Sequence, residues 1–295
     1  MAKRVNRAIE LLAEDQTIYY TGAHAGHVLT YDQGKVDAKT EADYINVGME
    51  HGAFNLGGLD AYMNGLVDGG PTNSGHRTPA VIVEAPVEGA TEEIVRFNAW
   101  QFRQILARGV HGILLCQAES ADAVRAFVES CRYPINKQGV GYGLGTGTRG
   151  VGSEPVAGKV WGVNRNEYVQ HADPWPLNPD GELLLGVKIE NVRGVSNVEQ
   201  TLQVPGIGFA EMGPGDLGMS LGYLNTPRDP YPSEMLEARE RVKASCEENG
   251  IAFLEGGATE ETIGEMIDDG VRIMGGRNSE TMKAGRAHSK RTMPV

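Results

Sequence analysis

Short apolar runs alternate along the chain with longer stretches of helical periodicity. Eight runs stand out: TIYYTG (17–22), YINVGM (44–49), AVIVEA (80–85), GILLCQ (112–117), LLLGVKIE (183–190), IGFAEM (207–212), IAFLEG (251–256) and VRIMGG (271–276). Near-continuous apolar runs of this length suit strands buried on both faces, as parallel strands are. Between them lie amphipathic segments such as TEEIVRFNAWQFRQILARG, SADAVRAFVESCR, SEMLEARERVKASCEENG and TEETIGEMIDDG. Ser120 and Thr259 stand where N-caps belong, and the early carboxylates of TEET suit the positive end of a helix dipole. Strand and helix in strict alternation imply parallel strands joined by crossover helices. Eight strands predict a closed (β/α)8 TIM barrel in preference to an open doubly wound sheet, which usually has six or fewer.

The length of 295 residues fits one such barrel, whose usual size is ~250 residues, so residues 1–295 are expected to form a single domain. One segment breaks the rhythm. Residues 141–181, rich in glycine and proline, form an extended loop between the fourth and fifth strands and are expected over the C-terminal rim, where barrels build their active sites. Its aromatic residues Tyr142, Trp161, Tyr168 and Trp175 offer an apolar wall for a substrate, or only anchors for the loop. The N-terminal stretch MAKRVNRAIELLAEDQ carries Val5, Ile9, Leu11 and Leu12 at helical spacing and reads as an amphipathic helix of the mature protein, not a signal.

Composition narrows the class. Hydrophobic residues at 40% and charged residues at 22% are ordinary for a globular enzyme. Runs such as GILLC fall far short of the ~20 apolar residues a membrane span needs. A net charge of −12 argues against nucleic acid as a partner, because phosphate binding needs a basic surface. Three cysteines, Cys116, Cys131 and Cys246, are an odd number without metal-like spacing and point to a reducing cytoplasm.

In a barrel, the informative residues are those at the C-terminal strand ends. In chain order these are His24 and His27, Glu50 and His51, Glu84, Gln117, Lys188 and Glu190, Glu211 and Asp216, then Glu255. Glu190 and Asp216, on consecutive strands, form a pair of oxygen ligands for a hard divalent cation such as Mg²⁺ or Mn²⁺, with Co²⁺ or Zn²⁺ also admissible. The plainer reading of two such acids is helix capping. Glu84 fits three roles: a further ligand, a general base, or the partner of a cation such as Arg149 or Lys188. Glu50 either orients His51 or bonds backbone amides. His24 and His27 either serve a substrate oxygen or proton transfer, or are solvated loop residues; Gln117 joins them as a substrate-binding candidate.

More specific is GFAEMGPGDLGMSLGY (208–223). GPGDL after an apolar strand, VKIEN on the strand before it, MEHG after the second strand and RGVGS at 149–153 resemble, in order, the motifs of the HpcH/HpaI aldolase/citrate lyase family. The resemblance runs from Asp43 to Gly276, with further likeness in SADAVRAFVESCRYP. It implies a (β/α)8 barrel that binds a divalent metal ion and makes or breaks a carbon–carbon bond through an enolate: a lyase of the aldolase type acting on a hydroxylated carbonyl compound. It also implies a homo-oligomer, hexamer or trimer, with exchanged terminal helices, to which SETMKAGRAHSKRTMPV is similar. Carried over by motif, Glu190 and Asp216 are the metal ligands and His51 the acid/base. Gly213, Pro214 and Gly215 seat a substrate carboxylate on backbone amides, and Arg149 belongs to the arginine-glycine loop.

Three positions depart from the family pattern. Members that act on pyruvate carry an arginine at the end of strand three, where this chain has Glu84. An aspartate three residues before the histidine is replaced by Gly48, and another that closes the following helix by Ala107. The pyruvate-binding arginine is thus missing, which keeps a metal-dependent hydratase, dehydratase or hydrolase on the same scaffold as the alternative.

Overall fold

The computed structural model describes residues 2–227, 230–276 and 278–295. Its centre is a closed barrel of eight parallel strands: β1 (Ile18–Ala23), β2 (Tyr44–Gly48), β3 (Ala80–Glu88), β4 (Gly112–Cys116), β5 (Leu183–Ile189), β6 (Phe209–Met212), β7 (Ala252–Glu255) and β8 (Val271–Gly275). Closure is by β8 against β1, with Ile18 opposite Ile273 and Tyr20 opposite Gly275. The fourth and fifth strands pair directly, Gly112 opposite Leu184. All eight expected strands are present. The pattern did not foretell a two-residue strand, Pro174–Trp175, added outside β5.

Side chains that alternate inward pack the barrel. Ile82, Leu114, Leu184, Phe209, Leu254 and Ile273, with Tyr20 and Tyr44, form one buried cluster, each such side chain contributing roughly 1.5–3 kcal/mol on burial. The N-terminal helix, Arg7–Leu12, plugs the lower end by adding Ala8, Ile9 and Leu11 to that cluster. Asn6 caps it and donates from Nδ2 to the carbonyls of His111 and Glu182, both at 3.1 Å, where β4 and β5 begin. The expected amphipathic helix is therefore a structural plug, six residues long. A larger apolar layer lies between the strands and the outer helices.

The connection 141–181 does not cover the C-terminal rim. Helix Ala121–Cys131 carries the chain back to the lower end of the barrel, and the chain stays there until β5 starts. Arg132 makes a two-pronged buried ion pair with Asp173, at 2.6 and 3.0 Å. Trp161 donates from Nε1 to the Gly109 carbonyl at 2.9 Å and stacks on His111, just before β4. The segment also folds into helices Glu154–Trp161 and Arg165–His171. The reason is topological: each crossover helix reverses the chain, so a segment following one lies on the side where the next strand begins. The aromatic wall dissolves accordingly. Trp161 and Tyr168 are buried in the outer layer, Trp175 lies beside Leu184 at the start of β5, and Tyr142 is exposed.

Candidate active site

The C-terminal ends of the strands surround a cavity of about 790 Å³. Its wall includes Glu190, His51 and the turn Gly213–Asp216. Glu190, the residue after β5, is buried. Its Oε1 accepts the Gln117 backbone N–H at 2.8 Å, while Oε2 is buried with no hydrogen bond among the described residues and with the Lys188 ammonium 3.3 Å away. The second oxygen has this room because residue 213 is glycine: a Cβ there would fall 2.4 Å from Oε2. Burial pushes the Glu190 carboxyl up to about 8, with the Lys188 ammonium opposing and Glu50 adding to the rise. An anion so costly to keep charged fits a cation ligand.

Asp216 sits in the first turn of helix Pro214–Ser220, with Oδ2 3.6 Å from His51 Nε2. Glu50 Oε2 lies 3.4 Å from the same nitrogen and 2.8 Å from Lys188 Nζ, which is itself 3.3 Å from Glu190 Oε2. Donor atoms of Glu50, His51 and Asp216 all fall within 4.8 Å of one another, as do those of Glu50, Cys116 and Glu190. The geometry thus brings together Glu50, His51, Glu190 and Asp216, four residues singled out in the sequence. A hard divalent cation suits this oxygen-rich set.

Beneath them lies a charged layer. Lys188 and Glu211 face each other across β5 and β6 in register, and both line the cavity with Tyr20 and His24. Glu211 is buried, its Oε2 has no hydrogen-bond donor among the described residues, and burial pushes its carboxyl up to about 7. Glu84 is buried on β3; its Oε1 accepts from Asn46 Nδ2 at 2.8 Å and lies 2.6 Å from His24 Nδ1. Burial raises this carboxyl, but the His24 bond and the Lys188 charge outweigh it and hold it below its ordinary value. Burial also works against the Lys188 charge, yet Cys116, Glu190, Glu211 and Glu84 outweigh it and hold the ammonium well above its ordinary range.

Three expected site residues lie elsewhere. Arg149 is buried at the lower end, its guanidinium 4.5 Å from the Tyr133 ring and donating to Tyr168 Oη at 2.8 Å, because the loop that carries it belongs to that end. His27 turns outward to Asp37 Oδ2 at 2.9 Å and Tyr62 Oη at 3.1 Å. Gln117 adopts a left-handed φ of 50° that aims its N–H at Glu190, and its side chain accepts from Asn191 at 2.7 Å; it supports Glu190 and is not among the residues lining the cavity. Asn46 and Arg239, the latter paired with Glu255 on the far wall at 2.6 and 2.7 Å, are additions to the sequence reading, whereas Lys188, Glu211 and Glu255 belong to the strand-end residues it had named without a role in the motifs. Two-residue alternation carries the signal for two of them: Lys188 shares a strand face with Glu190, and Glu211 with Gly213.

The family model for HpcH/HpaI aldolase/citrate lyase matches residues 80–275. The chain belongs to this family. Among its relatives, a hydroxypyruvate/pyruvate aldolase of Roseobacter denitrificans is 28% identical over 178 residues, 60% of this chain and 61% of that one. A 4-hydroxy-2-oxo-heptane-1,7-dioate aldolase of Shigella sonnei is 29% identical over 177 residues, 58% and 60%. The match thus spans about three-fifths of the length of these curated relatives. Among solved structures, an HpcH/HpaI aldolase/citrate lyase family protein of Burkholderia cenocepacia superposes with a TM-score of 0.69 at 21% identity, covering 91% of this chain and 90% of that one. In this chain the GPGDL turn and Glu190 meet at the mouth of the barrel.

Proposed function

We propose that this chain is a divalent-metal-dependent carbon–carbon lyase of the aldolase type, acting on a hydroxylated carbonyl compound. The observation that carries this is Glu190 Oε2: a buried carboxylate oxygen with no hydrogen bond among the described residues and its ion-pair partner Lys188 at 3.3 Å, in a space that glycine at 213 leaves open, beside the convergent Glu50, His51 and Asp216. Glu190 and Asp216 would hold the ion, with Mg²⁺ or Mn²⁺ suiting their hard oxygens. When bound, such an ion polarises a carbonyl oxygen and stabilises negative charge there.

The chain's own residues supply the rest. His51, flanked by Glu50 and Asp216, is placed to take the proton of the aldol hydroxyl as the carbon–carbon bond breaks. Lys188 holds Glu50 in place through the 2.8 Å ion pair. The turn Gly213–Gly215 lines the cavity and presents backbone to the substrate. Glu84 stands where pyruvate-specific members are expected to carry arginine, so the lyase reading includes an atypical anchor.

The exposed Phe97 and Trp100 lie on helix Glu92–Leu106, and Phe54, three residues after His51, is edge-on to Trp100 at 5.9 Å, forming an apolar patch. That patch supports a homo-oligomer, and light scattering should give a multiple of 31.7 kDa. The three cysteines are free and buried, which suits a reducing cytoplasm. The test of function is NMR of Mn²⁺-loaded protein with 4-hydroxy-2-oxo acids and hydroxylated ketones. Cleavage into two carbonyl fragments, abolished by chelation, is the expected result. A substrate hydrated or dehydrated with its carbon skeleton intact would refute the lyase in favour of the alternative on this scaffold.

A further inference from the structure

The two departures from the family pattern at strands two and three meet at one residue. Gly48, opposite Glu84 in the sheet, lies against the backbone of the loop after β1: a Cβ on Gly48 would stand 2.0 Å from the His24 carbonyl oxygen. An aspartate at that position is sterically excluded by the loop. The Glu84 carboxylate then receives the His24 side chain, Nδ1 to Oε1 at 2.6 Å, and Asn46 fixes the same oxygen from β2. Gly48 and Glu84 thus both abut His24, one against its backbone and the other against its ring.

We propose that His24, oriented by Glu84, is a second proton-transfer residue of this site and occupies the place that arginine has in pyruvate-specific relatives. Its ring lines the same cavity as His51, Glu190 and Asp216. With Nδ1 committed to Glu84, Nε2 is the free edge, the arrangement by which a carboxylate fixes the tautomer and orientation of an imidazole. The charge reversal at position 84 is thereby offset in part, because the bond to Glu84 favours the protonated form of the imidazole.

The step balances. His51 takes the hydroxyl proton of the aldol, the carbon–carbon bond breaks, and its electron pair passes to the neighbouring carbonyl, leaving an aldehyde and an enolate. His24 gives its Nε2 proton to the enolate oxygen. The enol then returns that proton to His24 as its carbon takes the proton held by His51, so both residues end as they began. The inference rests on the lyase reading and deepens it: an oxo-acid or hydroxyketone is enolised without an arginine.

The test uses deuterium exchange at C3 of pyruvate and of hydroxypyruvate in D2O, followed by NMR with Mn²⁺-loaded full-length protein. His24→Gln should lower kcat for exchange at least 10-fold and Glu84→Gln by a smaller factor, with Mn²⁺ affinity by calorimetry unchanged in both. The groups facing His24 are Glu84 from β3, Glu211 from β6 and Lys188 from β5. Removing the Glu84 charge should therefore shift the alkaline limb of the exchange profile to lower pH, a change that mere loosening of the loop would not produce. Wild-type exchange rates in His24→Gln, or an unmoved limb in Glu84→Gln, would overturn the inference alone. A wild-type protein silent with both probes would overturn the lyase reading with it.

Discussion

Replacing Glu190 by glutamine separates a metal ligand from a structural ion pair. In the unfolded chain its carboxyl ionises at its ordinary 4.5, whereas burial pushes it up to about 8 in the fold. At pH 7 the metal-free native protein must therefore hold a proton that the unfolded chain has released. At about 1.4 kcal/mol per pH unit, this costs about 3 kcal/mol. The sign follows: this stability is present at acid pH and is lost as pH rises from 4.5 towards 8. Glutamine has no proton to take up, so metal-free Glu190→Gln should be more stable than wild type by up to about 3 kcal/mol at pH 7, a rise in Tm on the order of 5 °C. Lys188 loses little, because Glu190 is already mostly protonated at that pH. Mn²⁺ at 100 times its Kd should then add about 2.7 kcal/mol to wild type and far less to the variant. Thermal unfolding at pH 5, 7 and 8, with and without Mn²⁺, reads all of this. A variant less stable than wild type without metal, or equally stabilised by Mn²⁺, would refute the reasoning.

Two further substitutions test the placement of residues. Gly213→Ala puts a methyl group 2.4 Å from Glu190 Oε2 at an unstrained φ of −76°, so calorimetry should show Mn²⁺ affinity falling roughly 10- to 100-fold with the helical circular dichroism intact. Arg149→Met, at the opposite end of the barrel, should lower stability by about 1–3 kcal/mol in urea unfolding through the lost Tyr168 hydrogen bond and ring contacts, while leaving Mn²⁺ affinity unchanged.

The barrel was legible because β1 to β8 are apolar on both faces and each is followed by an independent helical pattern. Four converging residues were legible because GPGDL, VKIE and MEHG each fix a strand end. Arg149 was misplaced because a motif in a long loop carries no information about which end of the barrel the loop occupies. That depends on the reversal made by helix Ala121–Cys131. Lys188 and Glu211 were visible as charges in strands, but their role depends on inward alternation shared across neighbouring strands in register. The His24–Glu84 contact joins residues 60 positions apart, which spacing along the sequence does not reveal.

The apolar plug of Ile82, Leu114, Phe209 and Leu254 acts as electrical insulation. The floor beneath Glu84, Lys188 and Glu211 is apolar, so it screens the attraction of Lys188 to the two carboxylates weakly. At an effective permittivity of ~20, unit charges 4 Å apart interact by about 4 kcal/mol, against about 1 kcal/mol in bulk water. Leucine and phenylalanine side chains that never meet a substrate thus set how strongly the residues above them can act on one.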